Sequence, residues 1–201
     1  MGDNSMQDLR MFWWVFAFRG GFALLFAALL YFTTGLLGTI FFDPVLLVSL
    51  SLLLGFFILA NGLLLGVAAV FSREHHLRLW YLLSSESVVA IALGAYITSS
   101  LMMTSHSLAY LAGLHAVARV FFQVHLGIKL RHQRSYAPIL FASAAVSVAM
   151  ALFFFAHRED SVRTITAWLS GYEALYGIVV VTFALGLHRQ PRILSPAPTQ
   201  A

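Results

Sequence analysis

Six long apolar stretches divide this chain, at residues 11–32, 45–71, 79–100, 106–129, 136–157 and 163–187. Each is long enough for the roughly 20 residues that a helix needs to cross the hydrocarbon of a bilayer. Charged clusters, polar turns and breakers such as Pro44 separate them. In lipid the backbone must satisfy its own N–H and C=O groups, and a helix does so within one segment. The expected fold class is therefore all-α, with six transmembrane helices. With 60% hydrophobic and only 10% charged residues, the composition leaves no material for a soluble domain. One membrane domain, 11–187, is expected between an N-terminal segment, 1–10, and a tail, 188–201.

The N-terminal MGDNSMQDLR has acidic residues and no basic cluster, so it does not read as a cleavable signal peptide. Met6 also breaks the myristoylation pattern that Gly2 would begin. The closing SPAPTQA reads as a short disordered tail. No cysteine is present, which excludes disulfides, thiolate catalysis and cysteine-based metal sites. The net charge of +4 does not signal nucleic acid, because most basic residues stand at helix ends. Arg10, Arg73, Arg78, Lys129, Arg131, Arg134, Arg189 and Arg192 fall on the side of both termini, against Arg158 and Arg163 opposite. That bias predicts cytoplasmic termini. Trp13, Trp14, Trp80 and Tyr136 stand near the cytoplasmic starts of the first, third and fifth helices and read as interfacial anchors. The connecting loops are too short for a substrate-binding domain, so any chemistry or transport must occur within the bundle or between subunits.

The polar residues inside the stretches keep a register. Arg19, Glu86 and Ser143 occupy one position of three successive helical hairpins, at about 11–71, 79–129 and 136–187. Asn61, Arg119 and Tyr176 occupy a second. Units of two helices start from the same membrane face, so the repeats are expected to be parallel, related about the membrane normal. Three of them can form a ring. Small residues follow the same register: Ala23 and Ala27, then Ala90 and Gly94, then Ser147 and Ala151. The even helices add Gly55, Gly113 and Ser170, and the second helix a Gly62–Gly66 pair. Small faces let helix backbones approach closely where lipid supplies no hydrophobic drive.

These residues resemble the short-repeat membrane family that includes HdeD, the bacterial acid-resistance membrane protein. The resemblance rests on FRGGFALLFAALLYF, LLGFFILANGLLLGVAAV, LSSESVVAIALGAY and LSGYEALYGIVVV, and it runs over roughly residues 11–187. It implies a six-helix protein of the bacterial cytoplasmic membrane, connected with acid or general stress tolerance. It carries over no catalytic residue. Arg119 and Glu173 are heavier charges than the resemblance implies at those places, and they leave room for a specialised role.

An unpaired charge at the bilayer centre costs roughly 2.5–3.5 kcal/mol on insertion scales. Two Arg and two Glu balance within the membrane. The expected pairs are Glu86–Arg119, within one hairpin, and Arg19–Glu173, where a ring closes the first helix on the sixth. The preferred reading is that such pairs fix helix register. The alternative is a polar centre that handles an ion, proton or small solute. His115 and Gln123 lie four residues either side of Arg119 and extend it into one stripe. The intramembrane polar centre thus comprises Arg19, Asn61, Glu86, His115, Arg119, Gln123, Glu173 and Tyr176. His106 and His157, at the outer helix ends, are candidates for sensing external acid, since imidazole changes charge nearest neutrality.

Neither a haem nor another cofactor is expected, as no second intramembrane His faces His115. No metal site is expected either; His75 and His76 lack further ligands at a metal-type spacing. There is no Gly-rich phosphate loop, GxSxG or HExxH, so the expectation is a non-catalytic protein. Its expected partner is the lipid bilayer, with a second copy of the chain or another membrane protein as the candidate protein partner.

Overall fold

The computed structural model describes residues 13–40, 43–74, 80–100, 104–129 and 137–189. They form six helices: α1 (Trp13–Ile40), α2 (Asp43–Glu74), α3 (Trp80–Ser99), α4 (Ser105–Lys129), α5 (Ala137–Ala156) and α6 (Val162–Arg189). Each is long and apolar enough to cross a membrane. The protein is thus an all-α, multi-pass membrane protein in contact with lipid. His75, His76, Tyr136 and several of the flanking basic residues lie outside the described residues.

Local sequence explains the helix starts. Thr104 Oγ1 accepts the Ser107 amide at 3.2 Å ahead of α4, and Ser161 Oγ accepts the Thr164 amide at 3.3 Å ahead of α6. Both are N-caps on otherwise orphaned amides. Inside the helices, Thr34, Ser49, Thr166 and Thr182 donate to the carbonyl four residues back. A hydroxyl in hydrocarbon is satisfied this way without a neighbour. Large apolar side chains, including Phe18, Phe56, Val88, Phe121, Leu152 and Leu175, point outward on all six helices. On a soluble protein this would be a liability; here it is the lipid-facing surface.

The helices form a ring in chain order, with close and loose seams alternating. The close seams are α2–α3, α4–α5 and α6–α1; α1–α2, α3–α4 and α5–α6 touch far less. The closest neighbours are therefore not the two helices of one hairpin. They are the second helix of one hairpin and the first of the next, with α6 meeting α1.

Small residues account for this. A Cβ placed on Gly94 of α3 would come 2.6 Å from the Leu59 amide nitrogen of α2, and one on Gly62 would come 2.9 Å from that of Ile91. At the α6–α1 seam, Gly20 faces Gly177 O at 2.9 Å, and Gly177 meets Leu24. Gly62 and Gly177 are equivalent in the sequence register, as are Ile91 and Leu24. Ser87 Oγ donates to Gly62 O at 2.8 Å, and Ser170 Oγ to Ala27 O at 2.9 Å. These bonds cross the same seams and need the same proximity. At α4–α5, Gly113 and Gly127 instead receive the rings of Phe155 and Phe141. Gly21, one residue from Gly20, faces open space. Gly21→Ala is expected to leave the melting temperature in detergent close to wild type, an effect within about 1 kcal/mol.

The hydrophobic core divides in two along the bundle. One cluster includes Phe26, Leu50, Ile58, Ala90, Leu108 and Leu169; the other includes Phe16, Leu65, Leu83, Phe122, Leu140 and Phe183. On every helix the division falls at the registered polar position. Depth counted along the sequence therefore corresponds to a real layer.

Candidate functional site

Within that layer the charges are paired, but not as the sequence suggested. Arg19 of α1 donates to Glu86 of α3. Arg119 Nη1 of α4 donates to Glu173 Oε1 of α6 at 2.8 Å. The expected Glu86–Arg119 and Arg19–Glu173 pairs are corrected. The reason is azimuth. Each pair reaches across the ring between the tight helix pairs, so the two helices of one hairpin do not pair their own charges. Arg19–Glu86 ties α6–α1 to α2–α3, and Arg119–Glu173 ties α4–α5 to α6–α1.

Burial differs between the pairs. The Arg119 and Glu173 side chains are 1% and 0% exposed. Arg19 is 2% exposed and Glu86 9%. Aromatic faces complete the surroundings. The Arg119 guanidinium carbon lies 4.0 Å from the Tyr176 ring centre, and that of Arg19 lies 5.7 Å from the same ring. Phe122 stands 5.1 Å from Arg19, and Tyr172 5.6 Å from Arg119. An aromatic face supplies negative potential without a formal charge. Tyr176 thus serves two cations that would otherwise repel.

Gln123 leads to the third tight pair. Its amide nitrogen donates to Ser143 Oγ at 2.9 Å, and its carbonyl oxygen lies 3.2 Å from Ser147 Oγ. Tyr172 OH donates to Ser147 Oγ at 3.0 Å, joining α6 to α5. Asn61, Glu86, His115 and Arg119 line a cavity of about 10 Å³, the space of a single water. The ring of His115 stands edge-on to Phe57. All eight residues of the expected polar centre thus fall in this layer or beside it.

Tyr172, Phe57, Phe122 and Ser147 complete the centre, though sequence reasoning did not assign them to it. Tyr172 stands four residues before Tyr176, a spacing that puts both on one helix face, and that was its available signal. Phe57 and Phe122 carried none, since a phenylalanine in a transmembrane segment reads as lipid-facing or core.

Several polar atoms of the layer are buried with no hydrogen-bond partner among the described residues. They are Arg19 Nε and Nη1, Arg119 Nε and Nη2, Glu86 Oε2, Glu173 Oε2 and His115 Nε2. The candidate sensing residues lie at the far end of the bundle. His106 Nδ1 is 3.6 Å from Glu159 Oε1. His157 stacks on Phe153, with ring centres 4.3 Å apart. The two imidazoles therefore have separate partners. Among the described residues no group of His, Asp and Glu is placed to hold a metal ion.

Comparison with known proteins yields no relative. No family model, no curated protein and no solved structure matches this chain.

Proposed function

We propose that this is an HdeD-like, non-catalytic protein of a bacterial cytoplasmic membrane, with both termini in the cytoplasm, serving acid or general stress tolerance. The polar layer acts as a clasp. The observation that carries this reading is the one-to-one matching of buried charges, each pair spanning two different tight helix pairs. Such matching is what a charge needs in order to reside in hydrocarbon at all. The link to stress tolerance rests on the sequence resemblance. The test is survival of an acid challenge by bacteria with and without the protein, comparing wild type with Glu86→Gln. A clasp predicts that Glu86→Gln, which leaves Arg19 without its counter-charge, lowers stability, while the molecules that fold and insert retain survival. Loss of survival in a folded, normally inserted variant overturns it.

A second reading is supported by the unpartnered buried atoms around the small cavity: a channel or transporter for a proton, ion or small solute. Proteoliposome flux tests it. Flux with wild type and none with Arg119→Ala favours transport; equal leakage from protein-containing and empty vesicles removes it. For acid sensing, His106→Ala combined with His157→Ala is expected to lower acid survival without changing expression. Unchanged survival removes the sensor.

A further inference from the structure

The loose α3–α4 seam opens into a groove of about 540 Å³, running from Tyr81 and His125 to Leu93 and Leu114. Twelve residues separate Tyr81 from Leu93, about 18 Å along a helix. That is close to the hydrocarbon depth of one leaflet, about 15 Å. The volume over that length gives a cross-section of about 30 Å², room for one hydrocarbon chain beside a helix.

The two halves of the groove differ. The deep half is apolar, walled by Val89, Leu93, Leu114 and Val117. The mouth half carries Tyr81, Ser85, Glu86 and His125. The mouth also lies where cations meet aromatic rings: Lys129 Nζ stands 4.7 Å from the Tyr81 ring, and the Arg73 guanidinium 5.8 Å from Trp80. Such belts mark the membrane–water boundary. Glu86 sits five residues inside it, about 7.5 Å.

Glu86 decides the chemistry. Ser85 Oγ is engaged with Leu82 O at 2.9 Å. Glu86, which lines both this groove and the small cavity beside it, gives one carboxylate oxygen to Arg19, and its second is buried with no partner among the described residues. A buried carboxylate oxygen calls for a donor. A cationic donor does not suit it, because Arg19 already balances the charge and a second cation would stand unmatched in hydrocarbon. An anionic head would face the carboxylate itself. A neutral hydroxyl meets both conditions.

We propose that the α3–α4 groove binds a neutral single-chain amphiphile with a hydroxylated head, of the monoacylglycerol class. The head lies between Tyr81 and Glu86 and donates to the free carboxylate oxygen; the tail runs past Val89 toward Leu93. The site shares Glu86 with the clasp but stands or falls independently of stress tolerance.

The experiment uses a monolauroylglycerol carrying a photoreactive group in its tail, with the full chain in phosphatidylcholine vesicles. Cross-links are expected within 81–93 and 114–125, in excess over the other helices. Unlabelled monolauroylglycerol should compete; its methyl-ester counterpart without hydroxyls, lauric acid and dodecylamine should compete about tenfold less well, the effect of one hydrogen bond to a charged group. Val89→Trp with Ala118→Phe fills the groove while keeping Arg19 and Glu86 themselves, and should abolish the preference. Arg19→Leu with Glu86→Leu removes the acceptor in a charge-balanced way and should equalise the competitors. Labelling spread evenly over the lipid-facing surface overturns the site. Equal competition by all four compounds on wild type overturns the head-group assignment.

Discussion

Arg119→Leu is expected to destabilise the bundle by about 3–5 kcal/mol, because it strands a carboxylate rather than merely deleting a contact. Glu173 has no exposed surface, and Arg119 is its one hydrogen-bond partner among the described residues. Glu173→Leu should do comparable harm by stranding the guanidinium. The double variant Arg119→Leu/Glu173→Leu removes both charges, and it should recover most of the loss. That recovery separates a stranded charge from a cavity, which the double variant would only enlarge. Melting in mild detergent, with the fraction running as a single species, reads out all three. Neutral bonds of the layer, such as Gln123 to Ser143, belong to a class worth about 0.6–2 kcal/mol in membranes. Deleting one should therefore be milder than breaking the ion pair. Single variants as stable as wild type would mean that Arg119–Glu173 does not hold the helices.

The second large effect is at Gly94. Its Cβ position lies 2.6 Å from the Leu59 nitrogen and 2.8 Å from the Leu59 Cα. Both are backbone atoms, so no side chain can turn aside, and α2 and α3 must separate. Gly94→Ala should cost about 1–3 kcal/mol, the range for overpacking a tight contact. Gly94→Leu should exceed it. A further consequence distinguishes this from ordinary crowding. The bond from Ser87 to Gly62 O spans the same seam and should be lost with it. Hydrogen exchange in α2 and α3 should rise before that in α4 and α5. Gly94→Ala with unchanged melting would show that the seam has slack the contact distances do not suggest.

Much of the architecture could be read from residue order. The six helices follow from apolar length alone. The common depth of Arg19, Asn61, Glu86, Arg119 and Tyr176 follows from counting along helices, and the split of the core at those positions agrees with it. Gly62, Gly66 and Gly94 were legible as close-approach points. Their partners were not, because a small residue states that a helix comes near without saying which one. The charges failed for the same reason. Residue count gives depth in the membrane, whereas azimuth around the ring depends on which seams are tight. Chain continuity favoured pairing Glu86 with Arg119 inside one hairpin. The structure packs across the hairpins, and the partners exchange accordingly.

Seam order also bears on synthesis. α1 precedes the other five helices, yet its closest neighbour is α6, which follows them. When translation has completed α5, the α2–α3 and α4–α5 pairs already have both members. At that stage Glu86 is the only carboxylate of the layer among the described residues, against Arg19 and Arg119. α6 then supplies the missing anion, the aromatic ring shared by the two cations and the glycine opposite Gly20. A chain cut short before α6 would therefore carry an excess positive charge within the bilayer, a cost that only the last helix removes.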